Sequence, residues 1–131
     1  MARTLFVLQA IVNVLFAIPL IFATSTLLSM YGISTDRTGT YIAQFLGGVF
    51  LILAWNSWFA RDWPDNEVRR MLIRGAFIGT AVAFVASVMF QLSSASTTST
   101  WLFVILTGIF TVGWGYYSYA SMQPVTRQQT A

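Results

Sequence analysis

The sequence predicts an all-α integral membrane protein, four transmembrane helices in an antiparallel up-down bundle with both termini cytoplasmic. Three observations predict it. Hydrophobic residues make up 56% of the 131 positions and charged residues only 8%, at a mean hydropathy of +0.70, a composition far from that of soluble domains. Four uncharged runs, Thr4 to Met30, Tyr41 to Ala60, Gly75 to Leu92 and Trp101 to Met122, approach or exceed the ~20 residues that cross a hydrocarbon core as a helix. The connections between them are short, so consecutive helices are antiparallel neighbours. The expected division is a transmembrane domain over 1–122, with helices at about 4–30, 41–60, 70–92 and 100–122, followed by a polar cytoplasmic tail over 123–131. A transmembrane barrel is excluded because stretches such as LFVILTGIF are continuously apolar rather than alternating.

The first helix follows Arg3 and resembles the start of a secretory signal, but its apolar run continues well beyond the 7 to 15 residues of an h-region. It carries two amides, Gln9 and Asn13, and one proline, Pro19. Proline removes a backbone donor, so a kink is expected near the middle of this helix, with the Leu15 carbonyl losing its partner. The second helix carries Gln44 and Asn56 and the small pair Gly47 and Gly48. Amides in lipid need partners and face inward. From a rise of about 1.5 Å per residue, Gln9 and Asn56 share one depth and Gln44 and Gln91 another. Two hydrogen-bonded amide layers are therefore expected, Gln9 with Asn56 and Gln44 with Gln91. Asn13 lies nearest the midplane with no obvious amide partner.

The middle connection, ARDWPDNEVRR, holds every acidic residue except Asp36. Pro64 ends the second helix, Asp65 is the expected N-cap of the third, and Glu67 places negative charge in its first turn. Arg61, Asp62, Asp65, Glu67, Arg69, Arg70 and Arg74 form a charge cluster in which Asp65 with Arg69 and Glu67 with Arg70 have ion-pair spacing. Without histidine, and beside four arginines, its three acids read as a solvated charge network rather than a metal site. Six of the seven arginines lie on the side shared by the termini and this loop, with Arg37 alone opposite, which predicts a cytoplasmic location for that side. The net charge of +3 follows from topology and contact with anionic lipid. Nucleic acid is not expected as a partner. Tyr31, Tyr41 and Trp101 at one end, and Trp58, Trp63, Tyr116, Tyr117 and Tyr119 at the other, form an expected pair of interfacial belts.

The third helix places Gly75, Gly79, Ala83, Ser87 and Gln91 at four-residue intervals. Such a row drifts by about 40° per step, so the expectation is a helix-packing seam. Gly75, Gly79 and Ala83 would cross one neighbour closely, and Ser87 and Gln91 would turn toward another. Gly47 and Gly48 are assigned the same packing role, as are Thr107, Thr111 and Gly115 on the fourth helix. So many small residues predict a mostly filled interior. No internal repeat relates the two halves, and no carboxylate lies within a span, which weakens pump and transporter readings.

Cysteine and histidine are both absent, which removes disulfides, iron–sulfur ligation, the usual haem ligand and the commonest proton shuttle. No cofactor is expected. The order of features, GGVFLILAWNSWFARD closing the second helix, an arginine pair opening a glycine-bearing third helix that ends in QLS, and GWGYYSY closing the fourth, resembles small DoxX-like four-helix membrane proteins of bacteria. That resemblance implies a bacterial inner membrane and a membrane-redox setting. It carries over no catalytic residue, because this chain lacks the cysteine and histidine for such chemistry.

Three functions remain open. The leading one is a non-enzymatic membrane protein, either an accessory subunit of a larger assembly or a binder of a lipid-like molecule, with Gln9, Asn13, Gln44, Asn56 and Gln91 as buried polar or ligand-lining positions. The second is a small oligomeric transporter or channel with Asn13, Gln9 and Asn56 along its path. The third is an enzyme on a lipid or quinone substrate, relying on Arg74 and the middle-loop carboxylates. Expected partners are membrane lipids, other membrane proteins, or a second copy of the chain.

Overall fold

A computed structural model of the protein describes residues 2–93 and 97–121; the tail over 123–131, with Arg127, lies outside the described residues. The first apolar run folds as two helices, α1 (Ala2–Phe22) and α2 (Thr24–Met30), rather than one helix over 4–30. Pro19 lies inside α1, and the interruption falls one turn beyond it, where Ala23 leaves helical geometry at φ −137°, ψ 43°. The Ala23 N–H still donates to the Pro19 carbonyl at 2.8 Å. The Thr24 hydroxyl donates to the Leu20 carbonyl at 2.5 Å, a side-chain bond that competes with continued helix. α2 closes in a Schellman arrangement. Ile33 donates to Leu28 and Gly32 to Ser29, both at 3.0 Å, and Gly32 takes φ +72°, which costs a residue without Cβ little.

The next helix, α3 (Arg37–Ala60), starts four residues earlier than expected. Asp36 is its cap, in extended backbone, with its carboxylate accepting from the Gly39 N–H at 2.8 Å. α4 spans Glu67–Gln91, and its cap is Asn66 rather than Asp65: the Asn66 side-chain oxygen accepts from the Arg69 N–H at 2.9 Å. A single 3₁₀ turn, Thr98–Thr100, leads into α5 (Trp101–Ala120). The described residues contain no strand, and four helical segments, Ala2–Phe22, Arg37–Ala60, Glu67–Gln91 and Thr98–Ala120, are long and apolar enough to cross a membrane.

The long helices associate as two antiparallel pairs. α1 packs along α3, and α4 along α5. Small residues set both approaches, since in lipid close backbone packing replaces the hydrophobic drive available in water. A Cβ on Gly47 would lie 2.8 Å from Ile21 Cγ1 and 3.1 Å from the Ala17 carbonyl; on Gly115 it would lie 3.0 Å from the Phe77 ring. The two pairs meet along one edge, α1 against α5, where Phe6 meets Trp114 edge-on at 4.7 Å and Phe16 stacks on Phe103 at 5.2 Å. Phe6, Ala60, Ile73, Phe110 and Trp114 form the buried core, with Trp114 fully enclosed. It lies toward the end that carries the middle loop. α3 and α4, by contrast, barely touch.

Tyr31, expected as an interfacial anchor, is instead 7% exposed. Its ring packs on Phe103 at 4.7 Å. Tyr41 and Trp101 at the same end are exposed.

Candidate functional site

Because α3 and α4 stand apart, the four long helices enclose a cavity of about 490 Å³ between the two pairs. A mostly filled interior was expected, and it is not found. Lining residues from α1 and α5, such as Phe6, Asn13, Phe16, Phe103 and Trp114, are buried or half-buried. Every exposed lining residue belongs to α3 or α4, among them Leu53, Asn56, Met71, Gly75, Gly79 and Ala83. The floor is therefore the α1–α5 edge, and the mouth opens sideways between α3 and α4. Aromatic rings bound both ends. Phe16 lies near Phe50 at 6.4 Å and stacks on Phe103, with Tyr31 behind. Phe6 and Trp114 close the end toward the middle loop.

The row on α4 lines this cavity. A Cβ at Gly75, Gly79 or Gly48 would meet nothing within 4 Å, so these positions do not pack against a neighbouring helix as expected. Gly75, Gly79, Ala83 and Ser87 form part of the wall, and the absence of side chains there makes room. Of the glycines assigned to close packing, Gly47 and Gly115 lie at tight helix crossings. The close approach between α4 and α5 uses Gly108 and Gly115, with Phe84 and Phe77 filling the space.

The amides do not pair with one another. Gln9 accepts from the Trp114 indole N–H, so the expected Gln9–Asn56 layer is replaced by a bond across the α1–α5 edge. A buried indole N–H needs an acceptor, and α5 presents it to the face of α1 that bears Gln9. Gln44 donates to the Ile21 carbonyl at 3.3 Å, near the place where α1 ends. Gln91 accepts from the Thr100 hydroxyl, bridging the ends of α4 and α5. Asn56 is exposed at the mouth.

Asn13 differs from the rest. It is 6% exposed and lines the cavity, and its side-chain nitrogen has no hydrogen-bond partner among the described residues. The nearby hydroxyls already donate to their own helices, Thr80 to Ala76 at 2.8 Å, Ser87 to Ala83 at 2.8 Å and Thr107 to Phe103 at 2.6 Å. They still offer acceptor lone pairs to the cavity. No charged side chain lines it.

The charge cluster lies outside the cavity and knits the middle loop. Asp62 bridges Arg3 at 3.1 Å and Arg61 at 2.9 Å, and the Arg61 guanidinium lies 3.5 Å over the Trp58 ring. Asp65 takes both Nε and Nη2 of Arg70, at 3.1 and 3.0 Å. The expected Asp65–Arg69 and Glu67–Arg70 pairs do not form. With Asn66 as cap, Asp65 lies outside the helix and reaches the arginine five residues on, while the Arg69 guanidinium faces the Phe6 ring at 5.7 Å. Among the described residues, Glu67 and Arg74 make no ion pair. The Arg61 hydrogen bond holds the Asp62 carboxyl below the usual carboxylate range, and the Arg70 hydrogen bond does the same for Asp65.

Trp114 was not anticipated as a site residue. The clue was its position between two glycines in GWG: Leu5 of α1 packs at Gly113, Phe77 of α4 packs at Gly115, and the indole between them is left to face inward. Comparison of the chain with protein-family models, with curated proteins and with solved structures finds no match.

Proposed function

We propose that the chain is a non-enzymatic integral membrane protein that holds a lipid-like molecule in the cavity between its helix pairs. The observation that carries this reading is the cavity itself. At about 490 Å³ it falls within the ~300–1,000 Å³ of small-molecule sites, and its mouth opens sideways, where a bilayer would meet it, rather than toward either end. Aromatic layers at both ends favour retention over end-to-end passage. The uncharged lining favours binding over acid–base chemistry.

We place the middle loop and both termini on the cytoplasmic face, where six of seven arginines then lie. The resemblance to DoxX-like proteins suggests a bacterial inner membrane. A second reading, accessory subunit of a membrane assembly, is favoured by α4, on which Ile73 is the one buried residue. Native mass spectrometry after purification in mild detergent tests both. A co-purifying apolar molecule, reduced when Gly79→Leu fills the cavity, supports the binder. A stoichiometric co-purifying protein supports the subunit. A bare monomer under conditions that retain bound lipid on control membrane proteins refutes both.

A further inference from the structure

The cavity is almost wholly apolar, yet its wall contains one buried donor without a partner. A buried amide N–H left unpaired costs on the order of 1–3 kcal/mol, and in lipid water does not readily supply the missing acceptor. The nitrogen belongs to Asn13, 6% exposed and on the cavity wall. None of its neighbours serves it: the Gln9 oxygen is engaged by the Trp114 indole, and no acceptor among the described residues lies in hydrogen-bond geometry with the Asn13 nitrogen. We propose that Asn13 hydrogen-bonds a carbonyl oxygen of the occupant, which is a neutral, largely apolar molecule dissolved within the bilayer core. This inference rests on the cavity being a binding site.

Depth narrows the class. Asn13 lies ten residues beyond Arg3, about 15 Å along a helix, which is half of a ~30 Å hydrocarbon core. The ester carbonyls of a glycerolipid sit near the headgroups and do not reach that level unless the whole lipid sinks. A molecule whose carbonyl interrupts or ends an apolar body does reach it. Charge narrows the class further. No arginine lines the cavity, so a carboxylate or phosphate would be buried without a counter-ion, at a cost far above one hydrogen bond. Entry is lateral, past Gly75 and Gly79, where no side chain obstructs the wall.

The test compares matched probes on the purified full chain in phospholipid nanodiscs, corrected with protein-free nanodiscs. The probes are radiolabelled 8-pentadecanone, pentadecane and palmitate. One net hydrogen bond predicts that the wild-type protein retains the ketone about two- to tenfold better than the alkane. Palmitate should be retained least, and the ketone C=O infrared stretch should move to lower frequency on binding. Asn13→Leu should abolish both the preference and the infrared shift. The wild-type comparison and the infrared shift need no variant, so they decide the matter even if Asn13→Leu fails to fold.

Equal retention of ketone and alkane, with no infrared shift, overturns the role of Asn13 but leaves the cavity as a binding site. Preferential retention of palmitate overturns the neutral class. Retention of none of the three probes overturns the proposal together with the binding-site reading, and a dimeric mass in that case identifies a second copy as what covers the mouth.

Discussion

The indole N–H of Trp114 donates to the side-chain oxygen of Gln9, joining α5 to α1 at the narrow edge where the two helix pairs meet. The same indole packs edge-on against Phe6. One fully buried side chain thus supplies both the shape and the polar match of that edge.

Removing either half of the bond should therefore cost more than an average interhelical hydrogen bond, about 0.6 kcal/mol. Gln9→Leu leaves a buried indole donor unpaired and should lose about 1–3 kcal/mol. Trp114→Ala also opens a cavity and should lose about 3–5 kcal/mol. In a double-mutant cycle with Trp114→Phe, which keeps a ring but no donor, Gln9→Leu should become nearly neutral. Additive losses in detergent unfolding would disprove the coupling.

Two glycines on different helices should respond oppositely to enlargement. Gly47→Leu drives a side chain into Ile21, Leu20 and the Ala17 carbonyl and should destabilise by about 1–3 kcal/mol. Gly79→Leu meets nothing within 4 Å and should leave the thermal midpoint close to wild type while reducing the room in the cavity. Thermal unfolding of both, beside retention of an apolar probe, separates a helix crossing from a cavity wall. Equal destabilisation by the two would show that α4 lies closer to a neighbour than this geometry allows.

Asn13→Leu, measured without any added apolar probe, should raise the unfolding midpoint, because it replaces an unpaired buried donor with an apolar group of similar size. A gain of about 1 kcal/mol is expected. A clear loss would mean that the amide is already bonded within the protein.

The middle loop should loosen in acid. Asp62 and Asp65 are held below their ordinary value of 3.8 by Arg61 and Arg70. A carboxyl with a depressed folded-state value stabilises while ionised, so the contribution is complete at neutral pH and disappears as pH falls through the depressed value. Exchange at the Trp63, Arg69 and Arg70 amides, which donate to Ala60 and to the Asn66 cap, should be slow at pH 7 relative to the intrinsic rate and lose protection below the ordinary carboxylate range. Asp65→Asn should reproduce part of that loss at pH 7. Global stability should hardly move, since both acids are exposed. Protection unchanged in the variant would count against the Asp65–Arg70 clamp.

The spans were legible because length and hydropathy are local properties of the chain. The caps were legible in principle: Asp36 and Asn66 each lie three residues before the N–H they accept from. Asp65 carries the charge, but Asn66 is the residue in extended backbone whose side chain reaches the Arg69 N–H. What opposes a helix face was not legible. The spacing of Gly75, Gly79 and Ala83 correctly places them together, yet spacing alone does not say whether a neighbour or a cavity lies opposite. That depends on how far α3 stands from α4. Depth matching likewise placed Gln9 beside Asn56, and it failed because rotation about the helix axis, which depth ignores, turns Gln9 toward Trp114.

Since the two helix pairs pack mainly along the α1–α5 edge, with further ties at its two ends through Ile73 in the cluster with Phe6 and through Thr97 on Tyr31, the arrangement is that of a book held by its spine. A small rotation about the spine widens or narrows the opening while each cover, α1 with α3 and α4 with α5, keeps its own tight glycine contacts. Under the proposed binding role, occupants of different girth would be accommodated by one angular coordinate rather than by repacking side chains. The thickness and lateral pressure of the surrounding bilayer, acting on the covers, would set the resting angle and with it the size of molecule admitted.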